Sequence, residues 1–193
     1  MFRSLFLAAL LATPLFAAND VYPRPQQSHF TQDTVRATSV SVELRTADSH
    51  GGVWDKLPAG KSGAYAIHIQ ADGKVGVYAN DATGVFYAKQ TVSQLLEGVA
   101  GAQDAQKDPF PGESIEQVAA KGELPVGELM DWPDLPYRGM VEGYYGRPWT
   151  FEEQCNQLDF FGRNKMNMFI YASKDDPCHH RAGSSTPDPE EKA

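Results

Sequence analysis

The sequence predicts an α/β chain in two parts: a small domain made of one sheet with packed helices, then the first β-α-β of an incomplete TIM (β/α)8 barrel. Three observations predict it. Residues 65–79 read as two alternating runs around Asp72-Gly73, with helical spacing after them. Asp131-Trp132-Pro133-Asp134-Leu135-Pro136 is a proline-bearing connection. Residues 137–172 read as strand, capped helix and apolar strand.

The elements follow in chain order. Arg3 precedes an apolar run from Leu5 to Phe16, and Ala17-Ala18 supply small residues before Asn19-Asp20. This pattern predicts a signal peptide over 1–18 and a secreted or periplasmic product. Residues 19–33 are polar with two prolines and read as an extended lead-in to the small domain, 19–131. Val35 to Thr46 is rich in Val, Thr and Ser and predicts one strand. His50 to Gly63 carries turn residues and reads as a loop. Tyr65, Ile67 and Ile69 alternate with Ala66, His68 and Gln70, and Val75, Val77 and Ala79 follow Asp72-Gly73, which predicts a hairpin.

Asn80 or Asp81 then caps a helix in which Val85, Ala88, Val92, Leu95, Leu96 and Val99 keep helical spacing. Gly101 to Gly122 is a long loop or holds a short helix around Ser114 to Ala120. Val126 to Met130 closes the small domain as its last strand, and 131–136 is a rigid linker. In the barrel segment, 137–180, Tyr137 to Glu142 is a short strand. Thr150 and Glu153 form a capping box. Phe151, Cys155, Leu158 and Phe161 place an apolar stripe on the next helix, with Gly162 as its stop. Met166 to Ala172 has the apolar character of a buried parallel strand. Residues 181–193 lack apolar periodicity and read as a disordered tail.

The formal net charge of -8, with no basic stripe, argues against nucleic acid as a partner. After signal cleavage no apolar run is long enough to span a membrane. Cys155 and Cys178 make no disulfide framework and read as two separate thiols.

Chemistry-bearing residues gather after the two barrel strands. Gly143-Tyr144-Tyr145-Gly146 offers close backbone approach and aromatic faces that suit a sugar ring. On composition alone it also reads as a tight turn whose aromatics pack on the following helix. Lys174 is a cation with three donors at a strand end. Asp175-Asp176 is an adjacent pair whose side chains point apart in an extended loop, so it is not read as a catalytic pair. Cys178-His179-His180 matches no zinc spacing, and neither metal nor cofactor is expected. Glu142 is either a buried, hydrogen-bonded carboxylate or a site residue, and spacing does not decide.

R-G-M-V-E-G-Y-Y-G-R-P-W and N-K-M-N-M-F-I-Y-A-S-K-D-D-P closely resemble the start of the catalytic barrel of glycoside hydrolase family 84, the O-GlcNAcase and hyaluronidase-type β-N-acetylglucosaminidases. Residues 64–96 resemble the small domain preceding the barrel there and in family 20 hexosaminidases. The resemblance covers about 22–180. It implies that Gly143, Tyr145 and Lys174 line a subsite for an N-acetylglucosamine-containing glycan. It also implies retaining, substrate-assisted hydrolysis by an aspartate pair that follows a later barrel strand, so no catalytic residue is expected here. Ser173 stands where the family usually has proline, and Cys178 where it has an aromatic. The resemblance ends after His180, and the reading frame is expected to be truncated early in the barrel. The alternatives are a non-catalytic carbohydrate-associated module and a nonfunctional remnant.

Overall fold

The computed structural model describes residues 21–100, 108–142 and 149–171. The expected signal peptide and the 181–193 tail lie outside the described residues. The small domain contains β1 (Gln27–Arg36), β2 (Ser39–Leu44), a single turn α1 (Val53–Lys56), β3 (Tyr65–Ile69), β4 (Lys74–Ala79), α2 (Ala82–Ala100), α3 (Ile115–Ala119) and β5 (Glu123–Asp131). After it come β6 (Gly139–Glu142), α4 (Phe151–Arg163) and β7 (Met168–Tyr171). This is the predicted architecture: an α/β small domain followed by the opening of a barrel.

The five small-domain strands lie in the order β1-β5-β3-β4-β2. Only β2 and β4 run parallel; the other pairs are antiparallel. The predicted hairpin is present and its turn explains itself. Gln70 N–H donates to the Lys74 carbonyl and Gly73 N–H to the Gln70 carbonyl, both at 2.9 Å. Gly73 sits at φ +85°, which costs glycine nothing. Ile67, Ile69, Val75 and Val77 meet Ala88, Val92 and Leu95 of α2 in one core, to which α3 adds Ile115 and Val118. A capping box between Ser114 and Gln117 starts α3 where the sequence allowed a short helix.

The single strand expected over 35–46 is corrected to two. The chain turns at residues 37–38, where Thr38 N–H donates to the Gly73 carbonyl at 2.8 Å. Residues 27–33, expected as lead-in, instead belong to β1. An edge strand with an exposed face needs only its ladder, and polar side chains satisfy that. The expected loop at 50–63 holds α1, and the linker loses its first residue, because Asp131 is the buried end of β5.

Of the two offered caps, Asp81 is the N-cap. Its Oδ1 accepts from Gly84 N–H at 2.9 Å, while Oδ2 accepts from the Ser62 hydroxyl at 2.7 Å. Asn80 has another task. Its Nδ2 donates to the Pro58 and Lys61 carbonyls and its Oδ1 accepts from Arg45, which holds the preceding loop. Burial raises the Asp81 carboxyl, but donors from Ser62, Gly84, Gly63 and Thr83 outweigh it and keep it below the ordinary carboxylate range. Asp108, raised by burial but lowered further by Lys89, Gln90 and the Phe110 N–H, behaves the same way.

A carboxyl lowered in the folded state stabilises above its unfolded pKa, and that contribution is lost as pH falls through the folded value. Asp81→Ala should therefore cost about 0.5–2 kcal/mol at neutral pH, with a smaller penalty below the ordinary carboxylate range. Urea unfolding across pH 2–7 checks this. An equal loss at every pH would mean that capping charge is not what Asp81 contributes.

Candidate functional site

The candidate site residues come after β6 and β7 in the sequence. The two strands pair in parallel, Gly139 opposite Met168 through Glu142 opposite Tyr171. Parallel neighbours lie about 4.8 Å apart, so Glu142 and Tyr171 stand side by side at the same edge of the sheet. In β/α folds that edge carries the chemistry. Glu142 is buried, so its carboxylate belongs to the interior of the strand end. Gly143 follows Glu142 directly, and Tyr145 and Lys174 each come three residues after a strand end, but all three lie outside the described residues. Asp175, Asp176, Cys178, His179 and His180 do too. Among the described residues no three His, Cys, Asp or Glu side chains converge to hold a metal, and Cys155 is a half-buried free thiol.

Glycine is needed at the head of β6 for contact, not for conformation. A Cβ on Gly139 would overlap the Met168 carbonyl of the neighbouring strand. The helix between the strands starts on the expected capping box, in which Thr150 accepts from Glu153 N–H and Glu153 from Thr150 N–H.

The helix end departs from expectation. Gly162 is not the stop: α4 runs through Arg163, and Lys165 takes the left-handed conformation at φ +57°. Lys165 N–H donates to the Gly162 carbonyl at 3.1 Å and Met166 N–H to the Phe161 carbonyl at 2.8 Å, which is the Schellman pair of bonds. Glycine is the usual residue there, because a side chain in this conformation costs about 1–2 kcal/mol.

What Lys165 does with its side chain explains its presence. The residue is 4% exposed. Its Nζ donates to Asp131 Oδ2 at 2.8 Å and to the Tyr65 hydroxyl at 2.7 Å. Tyr65 in turn donates to Asp131 at 3.2 Å and contacts the Thr91 hydroxyl. Asp131 ends β5 and Tyr65 begins β3, so an ammonium from the barrel segment is buried in the small domain. Burial pushes the Lys165 ammonium below its ordinary pKa, against the pull of Asp131, and pushes the Tyr65 phenol well up.

The Lys165 carbonyl is also used. It accepts from Arg138 Nε at 3.0 Å and Nη2 at 2.8 Å, while Arg138 Nη1 donates to the Leu135 carbonyl at 2.6 Å and Nη2 to the Tyr87 hydroxyl at 2.8 Å. Arg138 N–H donates to Asn167 Oδ1, and Asn167 Nδ2 to the Pro136 carbonyl. Arg163 and Glu97 make a bidentate pair at 2.9 and 2.6 Å. This junction was missed in the sequence. The one available signal was a lysine in the place of a helix-stopping glycine.

Two packing expectations fail. Of the α4 stripe only Phe161 is buried, against Phe169 at 5.7 Å between ring centroids; Phe151 is 82% and Leu158 53% exposed. The strand β7 is not buried either, with Ile170 and Tyr171 exposed. In its last turn α4 is tied to α2 by the Arg163–Glu97 pair. A cavity of about 260 Å³ lined by Tyr87, Trp132, Arg138 and Lys165 lies at the opposite, N-terminal ends of β6 and β7.

Two family models match successive parts of the chain. A family model described as glycosyl hydrolase family 20, domain 2, matches residues 24–132. One described as beta-N-acetylglucosaminidase matches 138–192, so likeness to known proteins runs past His180, where the motif reading ended it. Protein O-GlcNAcase of Rattus norvegicus and of Mus musculus are each 42% identical over 41 residues, 21% of this chain and 4% of theirs. The solved structure CpGH84B aligns with a TM-score of 0.55 at 22% identity, over 82% of this chain and 30% of its own. A beta-N-acetylhexosaminidase from Bacteroides fragilis NCTC 9343 aligns at 0.53 and 15%, over 79% and 33%. These structural likenesses show the fold, and the chain spans no more than a third of each of these relatives.

Arg138→Lys keeps the charge but cannot reproduce a planar fork. It should cost about 1.5–3 kcal/mol, the range for hydrogen bonds from charged groups. Equilibrium unfolding in urea checks this; an unchanged midpoint would show that the fork adds nothing over a point charge.

Proposed function

The chain belongs to the glycosyl hydrolase family 20, domain 2, family through residues 24–132, and on that premise we propose that it is the N-terminal part of an exported, retaining β-N-acetylglucosaminidase of the family 84 type. Residues 19–131 are then its small domain and 137–180 the start of its catalytic barrel. One observation carries the reading: β6 and β7 are in parallel register, so Glu142 and Tyr171 end them at one edge. The match of 138–192 to the beta-N-acetylglucosaminidase model supports it.

In this reading Gly143 lets the sugar approach the backbone, Tyr145 lines the pocket, and Lys174 donates to a sugar hydroxyl. The substrate is a terminal N-acetylglucosamine on a glycan or glycoprotein. Its 2-acetamido oxygen attacks the anomeric carbon, the leaving group departs with a proton from a general acid, and water opens the resulting oxazoline with retention. The aspartate pair that orients the acetamido group and supplies the proton belongs after a later barrel strand than the two present here.

Two measurements test the reading. The 193-residue polypeptide, assayed on an aryl N-acetyl-β-glucosaminide, should show no appreciable turnover, since general acid/base help alone is worth roughly 10²–10⁴ in rate. Turnover abolished by changing Asp175 or Asp176 would overturn the assignment of the pair. In a fusion that completes the barrel, Lys174→Ala should weaken binding of an N-acetylglucosamine-like inhibitor by about 1.5–3 kcal/mol, and Gly143→Val should block it. Unchanged binding by both variants would remove the subsite from these residues.

A further inference from the structure

We propose that Lys165 is a positioning residue for the sugar site: its buried ammonium, held by Asp131 and Tyr65, fixes β6 and β7 against the small domain and so sets where the strand ends at Glu142 and Tyr171 stand. The proposal rests on the reading just given, in which those ends bear the sugar-contacting residues.

Lys165 is the point at which three elements meet through one residue. Its Nζ reaches the last residue of β5 and the first residue of β3. Its carbonyl receives two N–H groups of Arg138, the residue immediately before β6. Its backbone turns the chain from α4 towards β7. Both barrel strands are therefore referenced to the small-domain sheet through the same residue. The side chain and the carbonyl act at the N-terminal ends of strands only four residues long. A shift at that end carries through to Glu142 and Tyr171, because a short strand is rigid along its length.

The conformation makes the same point. A cap whose only duty was to end a helix would favour glycine at φ +57°. A lysine there, with its long side chain buried and hydrogen-bonded at its tip, has a use for that side chain. The alternative is that the pair only adds stability, and the two ideas separate experimentally. Replacing a buried ion pair by apolar residues of similar size is often neutral or stabilising. A positioning role does not survive that replacement, because apolar side chains give no direction.

The experiment is amide hydrogen exchange on the full 193-residue chain, comparing peptides over 139–142 and 168–171 with peptides over 65–79. Lys165→Gly should ease the helix turn yet raise exchange in β6 and β7 at least tenfold, with β3 and β4 unchanged. Lys165→Met combined with Asp131→Leu should recover the urea midpoint while β6 and β7 stay at least tenfold faster. Unchanged β6–β7 exchange in Lys165→Gly overturns the proposal. So does equal acceleration in β3–β4, which would mark a general stabilising role. Restored β6–β7 protection in the apolar pair overturns it as well. No sugar enters the measurement, so it stands or fails separately: unchanged inhibitor binding by the Lys174 and Gly143 variants would strike the functional reading, whereas these outcomes strike only Lys165.

Discussion

A lysine ammonium removed from water must have its charge answered, and here it is answered by a different part of the chain from the one that carries it. Lys165 brings the positive charge from the end of α4; Asp131 and Tyr65 supply the acceptors from the small-domain sheet. Desolvation of such groups costs several kcal/mol each, and only close, complete hydrogen bonding offsets it. The constraint is therefore geometric before it is energetic. The barrel segment can sit against the small domain in the arrangement that satisfies Lys165, Asp131, Tyr65 and Thr91 together. The Arg138 fork and the Arg163–Glu97 pair extend the same logic on either side, with donors of known direction meeting carbonyls and carboxylates that have nowhere else to turn.

The parts of the fold legible in sequence were those fixed by short-range rules. Asp72-Gly73 demanded a tight turn, and the alternation on both sides gave the hairpin with its inward faces. Thr150 and Glu153 announced the start of α4, and the spacing from Val85 to Val99 gave α2. Where the reading failed, the deciding partner was distant. Residues 27–33 carry no strand signal of their own; they become strand because β5, about a hundred residues away, offers a ladder. Asp131 looked like the first residue of a linker because nothing nearby in sequence shows Lys165. The α4 stripe reported a real apolar face, but periodicity says which side of a helix wants cover and not what covers it.

The candidate site was legible to a different degree. Its two strand ends were predicted, and the parallel register places them at one edge. The residues expected to touch the sugar come within three residues of those ends in sequence. What sequence did not reveal is the support beneath them: Gly139, whose missing side chain lets β6 approach Met168, and Asn167, which accepts the Arg138 amide. Such residues act through backbone contacts, and side-chain pattern carries no trace of them.

The order of the sheet also sets a timetable. Gln27 pairs with Met130 and Arg36 with Glu123, so the first strand of the small domain waits for the last. Closing a loop of that length carries an entropy cost that grows as the logarithm of its size, and it is met only when the far strand exists. On a ribosome, β3, β4 and α2 can assemble as soon as they emerge, since their contacts are local. Strand β1 has no partner until β5 is out, because β5 alone separates it from the rest of the sheet. Folding of this domain is thus vectorial in its middle and retrospective at its beginning. Strand β1 is thus the strand that waits longest unpaired, and its exposed Gln, Ser, His, Thr and Asp leave it little apolar surface while it waits.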